Sequence, residues 1–138
     1  MQIGEHTVGF EAPDLVVTTY RGVISEQDAR EMSQFIVPHT TGLPYVLSLV
    51  DASEFRGISE DGRYAIREFV HVIPFRGIAC HSANFTIRTL GTIMVRALNL
   101  ISGRDCPIVF PRNEAEARAW LIERRKQIAA NLDRNTDK

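Results

Sequence analysis

The stretch from Leu47 to Ser59, LSLVDASEFRGIS, holds the densest set of groups that could do chemistry. Asp51 and Ser53 stand two apart, so on an extended backbone they share a side, where a carboxylate can hold or activate a hydroxyl. Joined by an imidazole from elsewhere, His71 or His81, they would have the composition of an acyl-transfer triad. That reading requires the histidine to reach Ser53 within hydrogen-bond distance. Ser53 and Ser59 are also the candidate phosphoacceptors of the segment. Ser59 precedes Glu60-Asp61 at a predicted helix start, where an N-cap is worth about 1 kcal/mol. A phosphate there would meet the favourable end of the helix, but Glu60 and Asp61 would repel it, which favours the capping role.

Other candidate groups carry less. Cys80 and His81 are neighbours on a predicted strand and must point to opposite faces, so they form no dyad with each other. His6, His39, His71 and His81 are scattered without HxH or HExxH spacing, and no metal site is expected. Arg63 and Arg67 lie four apart on one predicted helix face and could clamp a phosphate or carboxylate. The structural alternative is a salt-bridged surface with Glu60, Asp61 and Glu68. ERRKQ at 123–127 reads as a solvated helix face, and no glycine-rich phosphate loop is present. No cofactor is implied.

The elements that must position these groups follow from pattern. HTVGFEA and LVVTTYRG are short strands, the second rich in β-branched residues, and Ala12-Pro13-Asp14 between them has turn chemistry. Ser25-Glu-Gln-Asp28 has helix-start form; Ala29, Met32 and Ile36 give the following helix an apolar stripe that Pro38 should stop. YVLSLV is a nearly continuous apolar run, suited to a central strand covered on both faces. The loop 51–59 leaves it, then a helix with Ala65, Ile66, Phe69, Val70 and Ile73 inward, ending at Pro74. FRGIACHS is the next strand and CPIVFP a short last one. EARAWLIERRKQIAANL is the final helix, with Ala117, Trp120, Leu121 and Ile128 inward.

Between those last strands, NFTIRTLGTIMVRALNLISG predicts a helix whose polar residues Arg88, Thr89, Thr92, Arg96 and Asn99 fill a wedge of only about 100°. The rest is apolar, more than one sheet contact requires. Burial under the last helix and Trp120 is one account of the excess. A homodimer seam is another, and an apolar ligand slot a third, with Leu90, Ile93, Met94, Ala97 and Leu98 as the face concerned.

The bulk properties bound the class. A chain of 138 residues, 44% hydrophobic and 24% charged, has the length and composition of one globular domain. We expect this domain over 1–132 and a frayed tail over 133–138. A net charge of -1 lacks the basic excess of a nucleic-acid footprint. Two cysteines without CxxC spacing, no leader-like N-terminus and no run of 18 apolar residues point to a cytoplasmic protein without a transmembrane segment. The order β-β-α-β-α-β-α-β-α predicts an α/β layered domain with a mixed, mostly parallel five-stranded sheet and four or more helices packed mainly on one face.

That order, with PDLVVTTYRG, VDASEFRGIS, FRGIACHSANFTIRTLG and PIVFPRNEAEARAWL in succession, resembles the SpoIIAA-like family of STAS/SEC14-type domains, the anti-sigma factor antagonists among them. The resemblance implies a non-enzymatic regulatory or binding module. Its protein partner, a kinase or anti-sigma-like regulator, would meet the loop through Asp51, Ser53, Glu54, Arg56, Gly57 and Ser59. In the antagonists a serine at the start of the next helix is phosphorylated. Asp51 and Ser53 match the family's Asp-x-Ser; the phosphoserine turn is replaced here by FRGISEDG, with Ser59 the nearest equivalent. The alternative implied is a carrier of a lipid or small apolar molecule held between helix 84–101 and the sheet.

Overall fold

The computed structural model describes residues 1–136, with 133–136 by backbone alone. Its strands are β1 (Gln2–Ile3), β2 (His6–Glu11), β3 (Leu15–Ile24), β4 (Val46–Ile58), β5 (Phe75–His81) and β6 (Ile108–Val109). The helices are α1 (Glu26–Thr40), α2 (Glu60–Val70), α3 (Phe85–Ser102) and α4 (Glu114–Thr136). The sheet lies in chain order, β1 to β6, antiparallel through β3 and parallel from β3 onward. It has one strand more than expected, the two-residue β1.

Chain order explains the layers. Right-handed crossovers that all step the same way along a sheet deposit their helices on the same face. Accordingly α1, α2 and α3 share one face, where Ala29, Met32 and Ile36 of α1, Ala65 of α2 and Ile87 of α3 join Val46, Val50 and Cys80 in one core. The last helix has no strand to follow and covers the other face, packing Ala117, Leu121 and Ile128 on Leu15, Leu47, Leu49 and Ala79. β4 serves both layers through its period of two, which is why YVLSLV is apolar almost throughout.

Four expectations need correction. The segment 51–59 is not a loop: β4 runs 13 residues, to Ile58. β3 is long enough to offer it a ladder, and two register shifts absorb the mismatch, with Gly22 (φ 77°) and Gly57 (φ 139°) at the second. Pro38 does not stop α1, which continues to Thr40. In this last turn the Thr40 hydroxyl donates to Ile36 O at 2.9 Å and the Thr41 hydroxyl to Val37 O at 2.7 Å. α2 ends at Val70 rather than Pro74, and Arg104 caps the exit by donating to His71 O at 2.7 Å and to Ile73 O. Finally, α3 is not buried beneath α4 and Trp120, because the sheet stands between them.

α4 runs to Thr136, beyond the point where fraying was expected; residues 137–138 lie outside those described. No helix among the described residues is long and apolar enough to cross a membrane.

Candidate functional site

α3 starts from an Asn84 cap, whose side chain accepts from the Ile87 amide at 2.9 Å, and ends at Gly103 in the left-handed region (φ 69°). Only Ile87, Val95 and Leu98 of this helix are fully buried. Its other apolar side chains divide between solvent and a cavity of about 300 Å³ enclosed with α2 and the sheet. Leu90, Ile93, Met94, Ala97 and Leu98 all line it. Tyr20, Ser48, Val50, Phe55 and Cys80 form its floor, and Ile66, Arg67, Val70 and His71 supply the α2 wall. Ile93 and Ile101 line the cavity while remaining 60% and 76% exposed, so its mouth opens along the α2–α3 gap.

The floor is polar in places but holds its protons. Burial pushes the Cys80 thiol up to about 12, and the Asp51 charge adds to this. Burial likewise raises the Tyr20 hydroxyl above its ordinary value, offset in part by the neighbouring Thr18 side chain. The Tyr20 ring is fixed by Phe55, 4.9 Å away between centroids. Cys80 thus behaves as a small apolar side chain.

The segment 51–59 stands apart from this cavity except through Phe55 and Ile58. Ser53, Glu54 and Arg56 are exposed, Asp51, Gly57 and Ser59 half-buried. Asp51 accepts from both the Ser53 amide, at 3.0 Å, and the Ser53 hydroxyl, at 2.8 Å. Partial burial opposes ionisation of Asp51, but these two bonds, with His81 and Arg21 nearby, leave its carboxyl below the usual range. Glu54 pairs with Arg21 across β3 and β4 at 2.9 Å. Ser59 caps α2, accepting from the Gly62 amide at 3.0 Å.

The hydrolase arrangement is not assembled. His81 lies beside Asp51 in the β4–β5 register, but its Nδ1 meets the Ser82 hydroxyl at 2.9 Å and its buried Nε2 has no partner among the described residues. His71 Nδ1 meets Arg67 O at 3.2 Å. Ser53 therefore donates its hydroxyl hydrogen bond directly to Asp51 and not to an imidazole. Among the described residues no group of three or more His, Cys, Asp or Glu is placed to hold a metal.

The salt-bridged alternative for Arg63 and Arg67 is not seen either: Glu68 pairs with Arg30 of α1 at 3.2 Å, and Arg67 lies 5.6 Å from the centre of the Tyr64 ring. Arg67 and His71, rather than Arg63 and Arg67, are the basic pair lining the cavity.

No family model and no curated protein matches this chain. Among solved structures it is similar to an uncharacterised DUF3478-family protein of Shewanella loihica PV-4 described as having a SpoIIAA-like fold. The two share 17% identity at a TM-score of 0.64, over 84% of this chain and 93% of that one. The fold is SpoIIAA-like. At this identity the likeness carries the architecture, so function rests on the side chains of this chain.

Within the SpoIIAA-like frame, sequence reasoning found the α3 wall and missed the other two. Tyr20 looked like an ordinary strand residue and Phe55 lay in the expected loop, while Ile66 and Val70 read as a plain amphipathic stripe. One signal was readable: Ser48 interrupts the aliphatic run VLSLV with a hydroxyl, on the same strand face as Val46 and Val50.

Proposed function

We propose that this domain is a non-catalytic binding module whose ligand is a small apolar or amphiphilic molecule held between α3 and the sheet. The observation that carries the reading is the cavity of about 300 Å³, walled by aliphatic and aromatic side chains and open along α3. Its volume is at the lower end of the range for small-molecule pockets, which suits one chain or ring system rather than a two-chain lipid. The apolar surface a ligand would lose to water is the driving force, at about 25 cal/mol per Å².

The test is native mass spectrometry of gently purified protein, with titration of the neutral dye N-phenyl-1-naphthylamine. A co-purified mass or saturable dye binding is expected, weakened about tenfold or more by Ala97→Trp, which places a large ring in the mouth. A clean apo mass together with no saturable dye binding removes the reading.

A second reading, engagement of a regulatory protein partner through residues 51–59, has its own observation. β5 pairs with β4 only as far as Asp51, so among the described residues no strand pairs with that edge of residues 52–58. An open edge can accept a strand from a partner. Exposed Ser53, not the capping Ser59, is then the phosphoacceptor. Incubation with kinases encoded nearby, phosphopeptide mapping and a pull-down test it. An unmodified Ser53 and no captured partner would sink this version.

A further inference from the structure

We propose that the cavity takes an anionic single-chain amphiphile, with its tail against Phe55, Leu90 and Met94 and its acidic headgroup at Arg67 and His71. The inference rests on the cavity reading above and adds the charge and orientation of the ligand.

Charge at this site is one-sided. Among the described residues no aspartate or glutamate lines the cavity, and α3 contains none at all. The acids of α2 are directed elsewhere: Glu60 and Asp61 occupy its first turn, and Glu68 is bonded to Arg30. Among the described residues Arg67 has no carboxylate partner, and its guanidinium lies over Tyr64. His71 stands one turn further on, with Nδ1 directed to Arg67 O, so an imidazolium there has its Nε2–H free for a ligand oxygen. Arg104, on the His71 carbonyl, adds a third basic group at this end.

The interior is the opposite. Tyr20, Ser48 and Cys80 are the polar groups of the floor; all three are neutral, and the remaining surface is hydrocarbon. A charged headgroup placed inward would be desolvated without a counter-ion, which is strongly unfavourable. At the mouth the same group meets a guanidinium and stays partly in water, where charge-assisted hydrogen bonds form at little desolvation cost. Only one orientation satisfies both ends.

The experiment displaces N-phenyl-1-naphthylamine with dodecanoate, dodecyl phosphate and dodecanol, each below its aggregation limit, from the wild-type chain, Arg67→Gln and the double variant Arg67→Gln/His71→Gln. Both positions are exposed and make no ion pair among the described residues, so the variants should fold; thermal melts check this. The anions should bind about tenfold or more tighter than the alcohol, as one or two charge-assisted bonds provide. Arg67→Gln should remove most of that preference and the double variant the rest, the two anions losing about tenfold more affinity than dodecanol does. Preference for carboxylate over phosphate, or the reverse, supports the proposal and identifies the headgroup. Dodecanol binding as tightly as both anions, or an anion preference surviving in the double variant, overturns it while the cavity reading stands. If neither the dye nor any of the three binds, the cavity reading falls and this inference with it.

Discussion

Arg125 grips Asp14 with both arms, Nε to Oδ2 at 2.7 Å and Nη2 to Oδ1 at 2.8 Å, tying α4 to the turn that opens β3. The two ends differ in burial: the Asp14 side chain is 3% exposed and that of Arg125 38%. Removing Arg125 strands a buried carboxylate with only the Tyr45 hydroxyl, whereas removing Asp14 releases a guanidinium into water. Arg125→Met should therefore cost about 3 kcal/mol and Asp14→Ala about 1–2 kcal/mol by urea denaturation at pH 7. Equal costs, or the reverse order, would contradict this asymmetry.

Tyr45 donates to Asp14 Oδ2 at 2.6 Å, and burial, with that carboxylate beside it, pushes its hydroxyl up to about 12. A folded value above the unfolded one, near 10, means stability fully present below pH 10 and lost as pH rises toward 12. Tyr45→Phe has no such proton to lose. The urea midpoint should fall less steeply between pH 10 and 12 in Tyr45→Phe than in wild type; parallel curves would show that Tyr45 is not held this way.

The thiols make a kinetic prediction. Cys80 is pushed up to about 12 and Cys106 to about 11, burial being the largest cause for each. Both are free and buried. With the thiolate scarce and access blocked, alkylation by iodoacetamide at pH 8 should be on the order of a thousandfold slower than for a free thiol. In urea both should react at the ordinary rate. Fast modification of Cys80 in the native state would mean that the cavity floor opens readily.

Much of the architecture was legible because its signals are local. The Ser25–Asp28 capping box and the apolar stripes of α1 and α4 each fix an element without reference to the rest. What failed was decided at a distance. Asp, Ser, Glu, Arg and Gly are poor strand formers, so 51–59 read as a loop; it is a strand because β3 supplies a ladder and glycines take up the register shifts. The side of the sheet that α4 covers depends on the first three helices having filled the other. The excess apolar arc of α3 was visible, but what it faces required three elements to be placed together. Arg67 and His71 were each noted for something else.

The last prediction concerns the start of α2, where a phosphoserine was one expectation. The Ser59 amide donates to Ile24 O at 3.0 Å while its hydroxyl accepts from Gly62, so the first turn is drawn against the end of β3. A Cβ on Gly62 would lie 2.8 Å from Ile24 O and 2.9 Å from Ser59 Oγ, contacts that no side-chain rotation relieves at the carbonyl. Ser59→Ala removes only the cap and should cost about 1 kcal/mol. Gly62→Ala forces the turn off the strand and should cost more, about 2–3 kcal/mol. Ser59→Asp keeps an oxygen acceptor and adds negative charge at a helix N-terminus, so it should stay within about 0.5 kcal/mol of wild type. Thermal and urea melts of the three variants rank them directly. A Ser59→Asp variant as unstable as Ser59→Ala would show that this position does more than cap, and would return Ser59 to consideration as the switch.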